Sequence, residues 1–184
     1  MRAVRIAAFL FLLALPAFGQ EYTIQQYLNI KSAGSPSMSP DGREVAYLSN
    51  TTGTMQVWAT LISSPKPVQL TNYDDNVSFV RWLSDGSGMV FGKAKGGDEN
   101  TQFYWMDKFG GRVKALTNDP TVRHNFGLIS RDADIIAYSS NKRNRNYFDI
   151  YAMDIALGRE ILLYQQDGDN SIVALSDNGR QMII

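Results

Sequence analysis

The chain has 184 residues, 44% hydrophobic and 20% charged, a composition that suits one globular domain or part of a larger one and excludes a disordered polymer. Its 18 basic and 18 acidic residues balance, so it lacks the basic footprint of a nucleic-acid binder. With no cysteine, disulfides, thiolate metal sites and a cysteine nucleophile are excluded within the chain.

The N-terminus addresses location. Arg2 and Arg5 form a positive n-region, Ile6 to Phe18 is apolar, and Ala17 and Gly19 place small residues two apart, as a signal peptidase requires. The apolar run is shorter than the ~20 residues that span a bilayer. This predicts a signal peptide over 1–19, cleaved after Gly19, and a periplasmic or secreted product with no membrane attachment after cleavage; a retained anchor is the alternative. Residues 20–34 read as a short helix and lead-in, with Thr23 as N-cap and apolar residues at Ile24, Tyr27 and Leu28.

From Ser35 onward short alternating runs are broken by Gly, Asp and Asn, the signature of strands and turns. These runs repeat. Met38 to Tyr47 aligns with Trp82 to Phe91, Ile129 to Tyr138 and Leu175 to Ile184, so that the turn residues Asp41, Asp85, Asp132 and Asn178 recur in steps of 44, 47 and 46. A second anchor follows in three units, as Gln56-Val-Trp58, Gln102-Phe-Tyr104 and Asp149-Ile-Tyr151. A third closes them, as Gln69-Leu-Thr71, Ala115-Leu-Thr117 and, more loosely, Ile161-Leu-Leu163.

Each anchor has a physical reason. In Pro40-Asp41-Gly42, Pro presets φ and Gly accepts a positive φ, so the chain reverses sharply. Val45 and Tyr47 then share one face of a strand, with Ala46 and Leu48 on the other. Trp58, Tyr104 and Tyr151 supply bulk for packing one sheet on the next. Four strands per unit at this period is propeller geometry. The predicted class is therefore all-β: a partial β-propeller of about three and a half four-stranded antiparallel blades, at about 35–72, 79–118, 126–164 and an incomplete 172–184. A β-sandwich with accidental self-similarity is the alternative.

The units lack the Gly-His and Trp-Asp dipeptides of WD repeats. Ser39-Pro-Asp-Gly42 and the later Tyr151-Ala-Met-Asp154 instead resemble the TolB-like propeller repeat. Three further stretches resemble the N-terminal propeller of the prolyl oligopeptidase family of serine peptidases, in its acylaminoacyl-peptidase and dipeptidyl-aminopeptidase branch. They are Tyr22 to Leu28, Gly96 to Tyr104, and Tyr138 to Asn144 running into Phe148-Asp-Ile-Tyr151. The repeats depart from the pattern at Ser84, Arg131 and Ala133, which is expected to loosen individual blades. The resemblance implies a propeller of seven or eight blades over a C-terminal α/β-hydrolase domain carrying Ser, Asp and His. In such proteins the propeller screens access to the active site and favours short peptides.

The chain itself supplies no such centre. It has no G-x-S-x-G nucleophile elbow. Its single histidine, His124, has no feature pairing it with a nucleophile and reads as a surface or loop residue. Asp98-Glu99 is the nearest acidic pair to the one with which dipeptidyl peptidases hold a substrate amino terminus, but it sits in a Gly-rich hairpin and reads as a solvated turn. Asp132-x-Asp134 and Asp167-Gly-Asp169-Asn170 have the flavour of calcium loops without the later bidentate Glu. Lys142-Arg143-Asn144-Arg145 reads as a solvated basic tip, with partner contact as the alternative. Gly110-Gly111 is a hairpin turn without a phosphate-loop sequel. No catalytic, cofactor-binding or metal residue is assigned, and no cofactor is expected.

Met182-Ile-Ile184 falls in the second strand of the fourth unit, which reads as truncation of a longer frame. The favoured function is the non-catalytic propeller portion of an exported serine peptidase, whose partners are a hydrolase domain and peptide substrates, with no nucleic acid. A TolB-like scaffold that binds proteins in the periplasm is the alternative, and an oligomer closed from short chains is a third reading.

Overall fold

The computed structural model describes residues 22–132 and 134–184, so the predicted leader and Ala133 lie outside it. Residues up to Ile30 and those from Lys31 onward form two separate units. In the first, α1 (Ile24–Leu28) begins at Thr23, whose hydroxyl accepts from the Gln26 N–H while the Gln26 side chain accepts from the Thr23 N–H. This reciprocal capping box is what the sequence expectation of an N-cap at Thr23 amounts to in atoms.

The second unit is built of small antiparallel sheets in chain order. The first blade is β1 (Ala33–Met38), β2 (Glu44–Ser49), β3 (Gln56–Leu61) and β4 (Val68–Gln69). The second is β5 (Val77–Trp82), β6 (Gly88–Lys93), β7 (Gln102–Asp107) and β8 (Val113–Ala115). The third is β9 (His124–Ile129), β10 (Ile135–Asn144), β11 (Tyr147–Asp154) and β12 (Arg159–Tyr164). A two-stranded hairpin, β13 (Ala174–Leu175) and β14 (Met182–Ile183), follows. The all-β partial propeller expected from the repeat is thus the observed fold.

The aromatic landmarks are cross-strand partners. Tyr47 lies opposite Trp58, Phe91 opposite Tyr104, and Tyr138 opposite Tyr151. The Phe91–Tyr104 and Tyr138–Tyr151 rings stack at 5.2 and 5.8 Å between centroids. In the third blade the closing anchor is displaced by one residue from its expected place. Gln69 pairs with Trp58 and Ala115 with Tyr104, but it is Leu162 that pairs with Tyr151. Leu162-Leu-Tyr164, rather than Ile161-Leu-Leu163, is therefore the equivalent of Gln69-Leu-Thr71.

Blades pack face to face through two apolar clusters. Ala46, Leu48 and Val57 meet Val80, Met89 and Phe91 between the first and second blades. Phe79, Val90 and Phe103 meet Ile136, Tyr138 and Met153 between the second and third. Met89 and Phe91 face one neighbour while Val90 faces the other, as the two-residue period of a strand requires. Both faces of the middle sheet are buried, and a fully buried Phe contributes about 2 to 3 kcal/mol over an exposed one.

The turns between the first two strands of each blade are tied by side chains. The Ser39 hydroxyl accepts from the Glu44 N–H and donates to Asp41, whose carboxylate also accepts from the Arg43 N–H, and Gly42 sits at φ 69°. The bond from Ser39 holds the Asp41 carboxyl below its usual range, with the Arg43 N–H adding to it. Ser176 and Asn178 repeat this arrangement in the hairpin.

One departure from the repeat makes a bond between blades, while Ala133 lies outside the described residues. Where the first unit has Pro40, the second has Ser84, which donates both its N–H (3.0 Å) and its hydroxyl (2.6 Å) to Asp134 of the third. Proline has no N–H and could not make this latch.

Candidate functional site

The first strand of each blade, β1, β5 and β9, is paired on one side only and forms one edge of its sheet, opposite β4, β8 and β12. All three are bulged. The register slips between Gly34 and Ser37 in β1, between Val77 and Phe79 in β5, and across Gly127 in β9. Bulges leave backbone groups unpaired and re-aim neighbouring side chains. Ser35, in the first bulge, takes φ 51°, a left-handed conformation rare for a residue with a side chain.

A recess of about 400 Å³ opens at this edge, lined by Ser78, Arg81, Thr101, His124, Asn125 and Gly127 among others. Arg81 extends along it. Its Nη1 donates to the Ser35 hydroxyl of the neighbouring blade at 3.0 Å and to its preceding carbonyl, Val80, at 2.7 Å. Its guanidinium carbon lies 5.8 Å from the centre of the Phe126 ring. One side chain therefore touches three blades. Composition and spacing did not single it out, because an arginine within a strand looks like any exposed polar position.

His124 opens β9 and is buried, 4% exposed, which corrects its reading as a surface or loop residue. Its ring lies between Phe103 (5.6 Å) and Tyr138 (5.8 Å). Nδ1 is 3.0 Å from the Thr101 carbonyl, which can only accept, so Nδ1 carries the proton. Burial pushes its pKa below the ordinary value, against the opposing pull of the Thr101 carbonyl and Glu160. The unfolded ring takes a proton near pH 6.5, so the unfolded state binds more protons just below that pH. Stability should therefore fall as pH drops from 6.5 until the folded ring itself titrates. With a single histidine in the chain, His124→Gln should flatten that part of the profile, read as the urea midpoint against pH. An unchanged slope would show that the ring is not the source.

The basic tip is not a free solvated loop. Arg143 donates Nε (2.6 Å) and Nη2 (3.0 Å) to Asp149, whose side chain is fully buried, and Nη2 also reaches Asp167 at 3.0 Å. This forked pairing holds the Asp149 carboxyl below its usual range. Lys142 binds Glu160 at 2.6 Å, and the Tyr138 hydroxyl donates to the same carboxylate. Burial pushes Glu160 upward, but these two bonds outweigh it and the net shift is down. Tyr138 is driven well above the usual phenol range by burial first and by Glu160 second.

Several of the remaining candidates are bonded within the fold. Glu99 accepts from Arg123 at 2.7 Å, and Asp98 accepts from the Asn100 N–H within its own loop. Asp167 is held by Arg143, and Asn170 donates to the Phe148 and Gln166 carbonyls. Asp134 is the latch to Ser84. Among the described residues no group of three or more His, Asp or Glu side chains is placed to hold a metal. Gly110 and Gly111 lie in the β7–β8 turn, where Asp107 accepts from the Phe109 and Gly111 N–H groups.

A further set of buried polar residues carries the repeat. Gln56 is fully buried and accepts from the Thr71 hydroxyl (2.8 Å) and the Tyr73 N–H (3.0 Å) while donating to the Tyr73 and Asp75 carbonyls. Thr71 in turn accepts from the Val57 N–H. In the second blade Gln102 makes the same backbone bonds, accepting from the Asp119 N–H and donating to the Asp119 and Val122 carbonyls, and Thr117 accepts from the Phe103 N–H as Thr71 does from Val57. In the third blade Asp149 holds the equivalent place, with Arg143 as its partner. The signal was present in the sequence as a conserved distance between anchors, read there only as packing of aromatics.

No family model matches the chain. It is 26% identical over 133 residues to dipeptidyl aminopeptidase BIII of Pseudoxanthomonas mexicana, covering 71% of the chain and 19% of that protein. It is 31% identical over 83 residues to the Tol-Pal system protein TolB of Francisella tularensis subsp. mediasiatica, covering 45% of the chain and 19% of TolB. The chain thus spans about a fifth of the curated relatives it matches. Among solved structures, TolB from Acinetobacter baumannii superposes with a TM-score of 0.61 at 27% identity, over 80% of the chain and 36% of TolB. Pyrococcus horikoshii acylaminoacyl peptidase gives a TM-score of 0.56 at 19% identity, over 79% of the chain and 27% of that enzyme, a likeness of fold. Its four-stranded blades, its Asp-Gly turns and these matches make the chain a β-propeller segment similar to TolB and to dipeptidyl aminopeptidase BIII, with a fold that acylaminoacyl peptidase shares.

Proposed function

We propose that the chain is the non-catalytic propeller portion of an exported prolyl oligopeptidase-family serine peptidase, controlling which substrates reach a hydrolase domain. The observation that carries this reading is the match to a dipeptidyl aminopeptidase over 133 residues, a stretch as long as the three complete blades. The leader sequence, with Arg2, Arg5 and the small residues at Ala17 and Gly19, supports export to the periplasm or beyond. Among the described residues no helix is long and apolar enough to cross a membrane. A second reading, a TolB-like scaffold that binds protein partners, is supported by the higher identity to TolB over the shorter stretch.

A fluorophosphonate probe for active-site serines separates the two. Applied to the whole native gene product, it should label the polypeptide that carries this propeller. Removing the blades should then raise cleavage of long polypeptides relative to short peptides. A gene product that ends without a labelled serine and co-purifies with envelope proteins would overturn the peptidase reading in favour of the scaffold.

A further inference from the structure

We infer that Arg81 forms an anchor for the carboxylate of an extended peptide at the first-strand edges of the blades. The peptide part rests on the peptidase reading above, whereas the carboxylate part stands on local geometry. Three bulged strands converge here, and bulges are characteristic of places where a fold re-aims a side chain for use. Two of the recess residues, Ser78 and Gly127, are themselves the bulge residues of β5 and β9.

Arg81 is positioned rather than free. The strained Ser35 accepts from Nη1, the Val80 carbonyl accepts from the same nitrogen, and the Phe126 ring lies beside the guanidinium. Backbone strain of this kind persists where the surroundings over-determine it, and it concentrates at binding sites. Nothing neutralises the charge: among the described residues Arg81 makes no ion pair, while Arg123 and Arg143 both do. The other lining groups carry no charge. Burial disfavours the charged form of His124, Ser78 donates to the Gly92 carbonyl, and the Asn125 side-chain oxygen accepts from Arg123.

A guanidinium with both hydrogen bonds on one nitrogen leaves its remaining N–H groups for a planar, forked acceptor, which a carboxylate is. The unpaired edges of β1, β5 and β9 offer backbone donors and acceptors alongside it, and these suit an extended peptide better than a bare anion.

The test is calorimetric titration of the whole 184-residue chain with N-acetyl-trialanine, its C-terminal carboxamide, a carboxamide peptide carrying one internal Asp, and inorganic phosphate. The acid should bind about ten- to a hundred-fold more tightly than the plain amide. The Asp-bearing amide reveals whether a side-chain carboxylate serves as well as a terminal one. Arg81→Gln should abolish the difference between acid and amide, and Arg81→Lys should keep only part of it because the fork is lost. Equal binding of acid and amide, no binding of either, or an undiminished preference in Arg81→Gln would overturn the assignment. Phosphate binding as tightly as the peptide acid would overturn the peptide part. If Arg81→Gln fails to fold, the acid-against-amide comparison on the unaltered chain still decides. Because the readout is binding to this chain, it succeeds or fails independently of serine labelling in the whole gene product.

Discussion

Replacing Gln56 with alanine is expected to cost about 3 to 4 kcal/mol of unfolding free energy, measured by urea denaturation. The side chain is fully buried and serves two acceptor and at least two donor bonds, to Thr71, Tyr73 and Asp75. Truncation leaves those partners without a match in a place water does not reach, and an orphaned buried polar group costs about 1 to 3 kcal/mol. Thr71→Val keeps the shape and removes only the hydroxyl, so it should cost about 1 to 3 kcal/mol through the Val57 N–H and Gln56. Because the two residues share one bond, the double variant should cost less than the sum of the singles. Strict additivity, or a loss under about 1 kcal/mol for Gln56→Ala, would mean that the clamp does not hold β3 to the strand that follows.

Phe103→Ala should be as damaging, at about 3 to 5 kcal/mol. Phe103 is fully buried and meets Tyr138 edge-on at 5.2 Å, Phe79 at 5.6 Å and Phe126 at 6.2 Å, with His124 beside it at 5.6 Å. Its loss opens a cavity between two stiff sheets that relax only partly, so the cavity cost adds to the lost transfer energy. Phe109 makes the control: it is 77% exposed in the β7–β8 turn, and Phe109→Ala should stay within about 0.5 kcal/mol of the unaltered chain. A similar loss at both positions would show that stability tracks ring number rather than packing between blades.

Local rules made much of this fold legible. Asp-Gly turns, alternating strands and an aromatic in each third strand are set within ten residues or so, and they gave the blades and Thr23 as a cap, while the cross-strand pairing of those aromatics emerged only in the structure. What periodicity does not encode is the partner of a buried polar group. Gln56 finds Thr71, Ser84 finds Asp134, and Arg143 finds Asp149 through distances in space that composition does not report. The same blindness explains the other corrections. His124 looked exposed because a polar residue before a strand usually is, yet a carbonyl and two rings receive it. In β12 the anchor keeps the same interval from its aromatic partner as in the other blades, Tyr151 to Leu162 as Trp58 to Gln69 and Tyr104 to Ala115, so an anchor placed by hydrophobicity alone lands one position early. Arg81 was invisible for a related reason, since its significance lies in Ser35 and Phe126 on other blades.

The clamp also disciplines length. Gln56 accepts from the N–H of Tyr73, Gln102 from that of Asp119 and Asp149 from that of Gln166, each seventeen residues on, although glutamine has become aspartate in the third blade. The unequal steps between blades must therefore be absorbed elsewhere, in the β2–β3, β6–β7 and β10–β11 hairpins and in the passages between sheets. Insertions at those hairpins would lengthen a loop and little else. One residue added within β6 would present Val90 to the wrong neighbour and Phe91 to the other, exchanging both interfaces of the central sheet at a stroke.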